Sequence, residues 1–222
     1  MTRVIVLRPE PGASATVARA RGLGLDAVSI PLFEVEAVAW EAPDPAAFDA
    51  LLLTSANAIR LGGPALEVFR ALPVHAVGSA TAEAARAAGF AIASSGSGPV
   101  DKLIEQLEPG LRLLHLSGED RRIPTRPRQV IEAVPVYRSR AIEPPPSLAR
   151  TSGALVLVHS PRAGQRFAEL IEDRRRIAIA AISAAAAEAV GSGWVEVHIA
   201  AEPGDDALLA LAARLCNRSL PE

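Results

Sequence analysis

Short, continuous apolar runs alternate along this chain with stretches of helical periodicity. Val4-Ile5-Val6-Leu7 is the first run; with no polar position to face water, it predicts a strand buried on both sides of a parallel sheet. Arg8–Gly12 reads as a loop, and Ser14 as the cap of a helix to about Leu23, stopped by Gly22 and Gly24. Ala27–Ile30 is a second strand, ended by Pro31. Leu32–Trp40 is extended and partly alternating, and leads into no helix. From Asp49 the pattern is strand, helix, strand (Val74–Val77), helix (about Thr81–Ala88), strand (Phe90–Ala93), helix (about Asp101–Leu107) and strand (Leu111–Leu116), closing on Ser117-Gly118. Pro124 and Pro127 leave room for a short helix around Arg128–Glu132, before an extended piece over 133–142. The tail predicts strand 154–158, helix 162–172, strand Ile177–Ala181, helix 184–190, strand Val195–Ala200 and helix 206–217.

Part of this pattern occurs twice. DALLLTSANAIR (49–60) has its partner in GALVLVHSPRAG (153–164), with Ser55 and Ser160 105 residues apart. The same offset brings Glu83 onto Glu188 and Asp101 onto Asp206. Two copies of one α/β unit are therefore expected, with the function between them. Residues 1–31 supply only two strands and the tail three, which together make a five-stranded sheet. The expected fold is α/β: two flavodoxin-like, doubly wound parallel-sheet domains, the second inserted in the first. Domain 1 is residues 1–33 plus 142–222 and domain 2 is 41–133. Residues 34–40 and 134–141 form a two-stranded antiparallel hinge.

Composition narrows the function. In 222 residues, half of them hydrophobic, the formal charge is −2, so no basic excess points to nucleic acid. Lys102 is the only lysine, which reads as a GC-rich coding sequence rather than phosphate recognition. The single Cys216 excludes an internal disulfide or a cysteine metal cluster. No apolar run approaches membrane-spanning length, and MTRVIVLRPE has no signal-peptide pattern. A cytoplasmic monomer with no membrane partner is expected.

Ligands of doubly wound sheets sit beyond the C-terminal strand ends. The residues predicted there include Arg8, Ser55, Asn57, Ser79, Thr81, Ser117, Gly118, Ser160 and Arg162, mostly small or hydroxylic groups at helix starts. Ser55, Thr81 and Ser160 are either ordinary N-caps or, taken together, anion-binding positions. Dinucleotide and P-loop glycine motifs are absent, which disfavours a flavin or nucleotide. His75, His115, His159 and His198 lack metal-ligand spacing, and of the four only His159 is a candidate for the cleft, against the alternative of a packed strand-end histidine. Arg121, Arg122, Arg126 and Arg128 form either a solvated loop face or a carboxylate site. Glu119-Asp120 and Asp205-Asp206 read as helix-start acids. Tyr137 is the only tyrosine. By alternation it shares a face with Pro135 and Ser139, opposite Val134, Val136 and Arg138. It is either a packing residue or a phenol donor.

These stretches together resemble the uroporphyrinogen-III synthase family. VIVLRP, LLLTSANAI (51–59), VHAVGSATAEAARAAGF (74–90), LLHLSG (113–118), VPVYRSR (134–140), LVLVHSPRAGQRF (155–167) and DDALLAL (205–211) carry the likeness in order along nearly the whole chain. The resemblance implies a cyclising hydro-lyase that needs no cofactor or metal. It would convert hydroxymethylbilane, a linear tetrapyrrole with eight carboxylates, to uroporphyrinogen III with inversion of ring D. On that route hydroxyl loss gives an azafulvene cation, ring D attacks through its substituted carbon, and a spiro intermediate fragments and recloses. Tyr137 matches the tyrosine suggested to assist hydroxyl departure. Ser55, Ser79, Thr81, Ser117, Gly118 and Ser160 match cleft-lining positions. The second copy departs from the family's G-x-x-T-A pattern, with Ser183 for the glycine and Ala186 for the hydroxyl residue. The helix after Ser117-Gly118 is shortened. A non-catalytic tetrapyrrole or anion sensor is the alternative.

Overall fold

The computed structural model describes residues 2–96, 98–121 and 123–217. In chain order its elements are β1 (Val4–Val6), α1 (Gly12–Gly22), β2 (Ala27–Ser29), β3 (Phe33–Ala37), β4 (Ala50–Leu53), α2 (Asn57–Leu61), β5 (Val74–Val77), α3 (Ser79–Ala87), β6 (Ile92–Gly96), α4 (Val100–Ile104), β7 (Arg112–Gly118), β8 (Val130–Ala141), β9 (Leu155–Val158), α5 (Pro161–Leu170), β10 (Ala178–Ala181), α6 (Ala184–Val190), β11 (Glu196–Ile199) and α7 (Asp205–Asn217). Short 3₁₀ turns lie at Pro45–Ala47, Pro64–Phe69 and Ala149–Thr151. By contacts the chain divides into two compact units, residues 1–34 with 140–222, and residues 35–139.

The first unit holds a sheet of order β11-β10-β9-β1-β2, every neighbouring pair parallel. The apolar runs are continuous because both faces are covered. Val4, Val6, Leu155, Leu157, Ala178 and Ala180 pack on one side against α1 and α7, through Val17, Leu208 and Leu215 among others. Ile5, Leu7, Val156, Val158, Ile179 and Ala181 pack on the other against Phe167, Val190 and Trp194. Phe167 and Trp194 stack with centroids 5.4 Å apart, and the Trp194 indole donates to the Val190 carbonyl at 3.0 Å.

The second unit carries the sheet β3-β8-β7-β4-β5-β6, in which the pairs from β8 to β6 are parallel. Leu51, Leu53, Leu114, Leu116 and Val136 face α2, α3, Leu66 and Phe69. Ala50, Leu52 and Leu113 face α4. The spatial run β8-β7-β4-β5-β6 repeats the plan β2-β1-β9-β10-β11, but in permuted chain order: the pair that opens the first unit has its counterpart at the end of the second. Strand order therefore reverses between β1 and β9 in one unit and between β7 and β4 in the other. Those are the positions where such sheets bind ligands.

Several local expectations change. Ser14 does not cap α1, which begins two residues earlier; instead Glu10 accepts the Ser14 N–H and O–H, both at 2.9 Å. A carboxylate there also complements the helix dipole. The helix expected at 128–132 is absent: from Val130 the backbone pairs in parallel with β7, Arg112 against Val130, and stays extended for 12 residues. The pairing available to Val130 and Ile131, both β-branched, overrides local helical pattern. After Ser55 the helix is only five residues long, because Gly62-Gly63-Pro64, with Gly63 at φ 68°, breaks it into a 3₁₀ turn. Among the described residues no helix is long and apolar enough to cross a membrane.

Candidate functional site

The two strand-order reversals collect most of the predicted site residues, each within its own unit. In the second unit, register places Leu53 beside Leu116 and Ala76. Thr54-Ser55, Ser117-Gly118 and the Gly78-Ser79 start of α3 therefore leave the sheet at one end. Thr54 Oγ1 meets His115 Nε2 at 3.0 Å. His115 is buried, and burial together with the Arg121 charge pushes its pKa down to about 4, so the ring is neutral at pH 7. Ser55 Oγ accepts from the Asn57 N–H at 3.2 Å, although Ala56 occupies the cap position of α2. Ser117 is buried, its hydroxyl donating to the Gly118 carbonyl at 3.1 Å.

Tyr137 is fixed against Gly118. The β7–β8 register runs Ser117 to Pro135, then Gly118 to Tyr137, so Val136 is an extra residue on β8. Pro135 has no N–H to lose from the ladder and is suited to such an irregularity. A side chain on Gly118 would stand 2.8 Å from Tyr137 Cε2 and 3.0 Å from Cζ. The Glu119 N–H donates to the Tyr137 carbonyl at 3.0 Å. The slip overturns the strict alternation expected for this strand: Val134 and Tyr137 both pack against the cluster that contains Val136.

The two helix starts that follow β5 and β10 exchange their chemistry. In α3 the cap position is Gly78, at φ 85°, and Thr81 lies buried one turn inside, so Thr81 is not an N-cap; Ser79 is exposed as the first helical residue. In α6 the cap is Ser183, whose Oγ accepts from the Ala186 N–H at 3.3 Å, while Ala186 is fully buried. The hydroxyl missing at Ala186 has moved to the cap.

In the first unit Arg8 leaves β1 beside His159, which leaves β9. Arg8 lies against Gly12, where a Cβ would stand 2.5 Å from its Nε. Its Nη1 donates to Thr16 Oγ1 at 3.3 Å and is 3.6 Å from Asp205 Oδ1. Asp205 Oδ1 accepts from His159 Nε2 at 2.8 Å, and Oδ2 accepts from Thr16 and from Arg19 Nη1, each at 2.9 Å. Burial alone would raise the Asp205 pKa. The hydrogen bonds from His159 and Thr16 and the charges of His159 and Arg8 outweigh it, holding the carboxyl below its ordinary value. His159 Nδ1 is buried with no hydrogen-bond partner among the described residues.

Ser160 caps α5, accepting from the Ala163 N–H at 3.2 Å. Arg162, the second residue of α5, lies 4.6 Å over the Phe33 ring beside a cavity of about 220 Å³ lined also by Gln165, Arg166 and Glu169. Asn57 opens α2. Of the arginine cluster, Arg128 donates to the Glu105 carbonyl at 3.0 Å and Arg122 lies outside the described residues. Sequence reasoning missed Asp205 as a site residue, because its partner Thr16 is 189 positions away. Among the described residues no His, Cys, Asp and Glu side chains group to hold a metal.

Residues 14–210 match the family model described as Uroporphyrinogen-III synthase HemD. The chain belongs to the uroporphyrinogen-III synthase family. That family is one of cyclising lyases in heme biosynthesis. Two solved structures are similar over nearly the full length. The uroporphyrinogen-III synthetase from Helicobacter pylori is 18% identical with a TM-score of 0.67, covering 97% of this chain and 100% of that one. A mutant uroporphyrinogen III synthase from Thermus thermophilus is 17% identical with a TM-score of 0.54, covering 98% of this chain and 100% of that one. At these identities the likeness concerns the fold. No curated protein matches the chain.

Proposed function

We propose that the protein cyclises hydroxymethylbilane to uroporphyrinogen III, with loss of water and inversion of ring D. The observation that carries this reading is the family match over residues 14–210. The uncatalysed bilane closes to the type I isomer, so the enzyme's contribution is orientation more than bond-making. Tyr137, seated on Gly118 at the end of β7, donates a hydrogen bond to the departing hydroxyl, helping the C–O bond break. Ring D of the azafulvene cation then attacks through its substituted carbon, and the spiro intermediate fragments and recloses. Arg8, Ser55, Asn57, Ser79, Thr81, Ser117, Gly118, Ser160 and Arg162 bind the substrate, mostly its carboxylates, through hydroxyls, guanidinium groups and backbone N–H at helix starts.

The finer architecture belongs to the same reading: two flavodoxin-like domains, 1–33 plus 142–222 and 41–133, joined by hinge strands 34–40 and 134–141. The order β2-β1-β9-β10-β11, first-second pair reversed before third to fifth, supports it for the first domain. The protein acts as a cytoplasmic monomer. The test of Tyr137 compares Tyr137→Phe and Gly118→Ala with wild type in bilane turnover. Tyr137→Phe is expected to lower kcat by about tenfold with KM little changed, as for an interaction made in the transition state, and Gly118→Ala, which displaces the Tyr137 ring at a substrate-binding position, to lower kcat and raise KM. Wild-type kcat in Tyr137→Phe would remove the phenol from the mechanism.

A further inference from the structure

We propose that Asp205, Thr16 and His159 form a positioning network that holds Arg8 open as a receptor for one substrate carboxylate, an inference that rests on the polycarboxylate reading above. Arg8 is placed with little freedom. Its guanidinium lies against Gly12, the first residue of α1, in space that any side chain there would fill. Asp205 draws it in from 3.6 Å, beyond hydrogen-bond distance.

The distance matters because the carboxylate is already committed. Oδ1 accepts from His159 at 2.8 Å, and Oδ2 from the Thr16 hydroxyl and Arg19 at 2.9 Å. Arg8 therefore feels the negative charge without spending its fork of donors on it. Among the described residues its hydrogen bond is the one to Thr16 at 3.3 Å. A guanidinium has five N–H donors in a geometry matched to a carboxylate, so most of Arg8 remains available to a ligand. The side chain is 35% exposed, at the strand-order reversal of its sheet.

His159 supplies the independent sign. Its side chain is only 7% exposed, and Nδ1 is buried without a partner among the described residues. Packing alone would favour an apolar residue there, since an unpaired buried nitrogen is costly. What the imidazole provides is Nε2–H on Asp205 Oδ1. Without that donor, Oδ1 is free beside Arg8, and a small shift turns the Arg8–Asp205 ion pair at 3.6 Å into a hydrogen bond that occupies the receptor.

The test uses full-length protein and two readouts: fluorescence titration with uroporphyrin III, an octacarboxylate, and isomer-resolved turnover of the bilane. Arg8→Met and His159→Phe are each expected to weaken uroporphyrin binding about tenfold, and the double variant no more than Arg8→Met alone. His159→Gln, whose amide can replace Nε2–H, should bind within about twofold of wild type. Thr16→Val, which leaves Oδ2 with Arg19 alone and removes the hydroxyl that Arg8 bonds, should weaken binding in the same non-additive way and carries the test if His159→Phe does not fold. Wild-type affinity in His159→Phe and Thr16→Val, or losses that multiply with Arg8→Met, would overturn the network. Wild type that binds uroporphyrin through Arg8 yet leaves the bilane to close to type I would support the network and remove the synthase reading.

Discussion

His115 is a neutral imidazole sealed inside a sheet, and its environment makes stability depend on pH. Burial and Arg121 lower its pKa from 6.5 to about 4 in the folded protein. Between those values the unfolded chain takes up a proton that the folded chain refuses. Stability should therefore fall as pH drops from 6.5 to about 4, by up to about 3 kcal/mol, and this contribution levels off below 4. Urea midpoints across that range should slope for wild type and lose much of the slope in His115→Gln, whose amide can keep a bond to Thr54. Equal slopes would place the effect elsewhere. At this scale legibility was uneven. Tyr137 stood out as the only tyrosine, and Ser160 is the cap its spacing predicted. Thr81 and Ser14 share the same composition cue but are not caps, because Gly78 occupies the cap position of α3 and Glu10 accepts the Ser14 N–H. Asp205 could not be recognised, since its role comes from Thr16 and His159, 189 and 46 positions away.

Elements were most readable where burial is two-sided. The strands β9 and β10 and the tail helices fall within a residue or two of their expected limits, because the continuous apolar runs and the Ser160 and Ser183 caps are local signals. The segment after Pro127 was not readable, since its extended form depends on a partner strand. Gln129, expected in a helix, is instead buried ahead of β8, and its amide donates to the carbonyls of Ile104, Leu107 and Glu108 at 3.1, 3.0 and 3.1 Å. These carbonyls lie at and beyond the end of α4, where backbone acceptors lack helical partners. Gln129→Leu should remove all three contacts and cost about 2–3 kcal/mol in urea unfolding. A loss under half a kilocalorie, roughly what a surface substitution costs, would mean that water replaces the amide freely.

For the whole molecule, the repeat at 105 residues was visible only where the two units run in the same chain order, β4-β5-β6 and β9-β10-β11. The remaining strands of the plan are permuted. Those of the first unit are joined by α1, whereas among the described residues no helix joins β7 to β8. Sequence comparison therefore finds half of each unit, and strand counting supplies the rest. The permutation leaves the reversal points in place: Arg8 and His159 lie at that of the first unit, and Ser117 and Gly118, with Tyr137 against them, at that of the second. Direction of ring closure of the bilane is the activity proposed for this chain. The most direct measurement generates hydroxymethylbilane in situ with the purified protein, oxidises the product and separates the uroporphyrin isomers. Predominantly type III is expected; type I alone, formed at the spontaneous rate, would overturn the synthase reading.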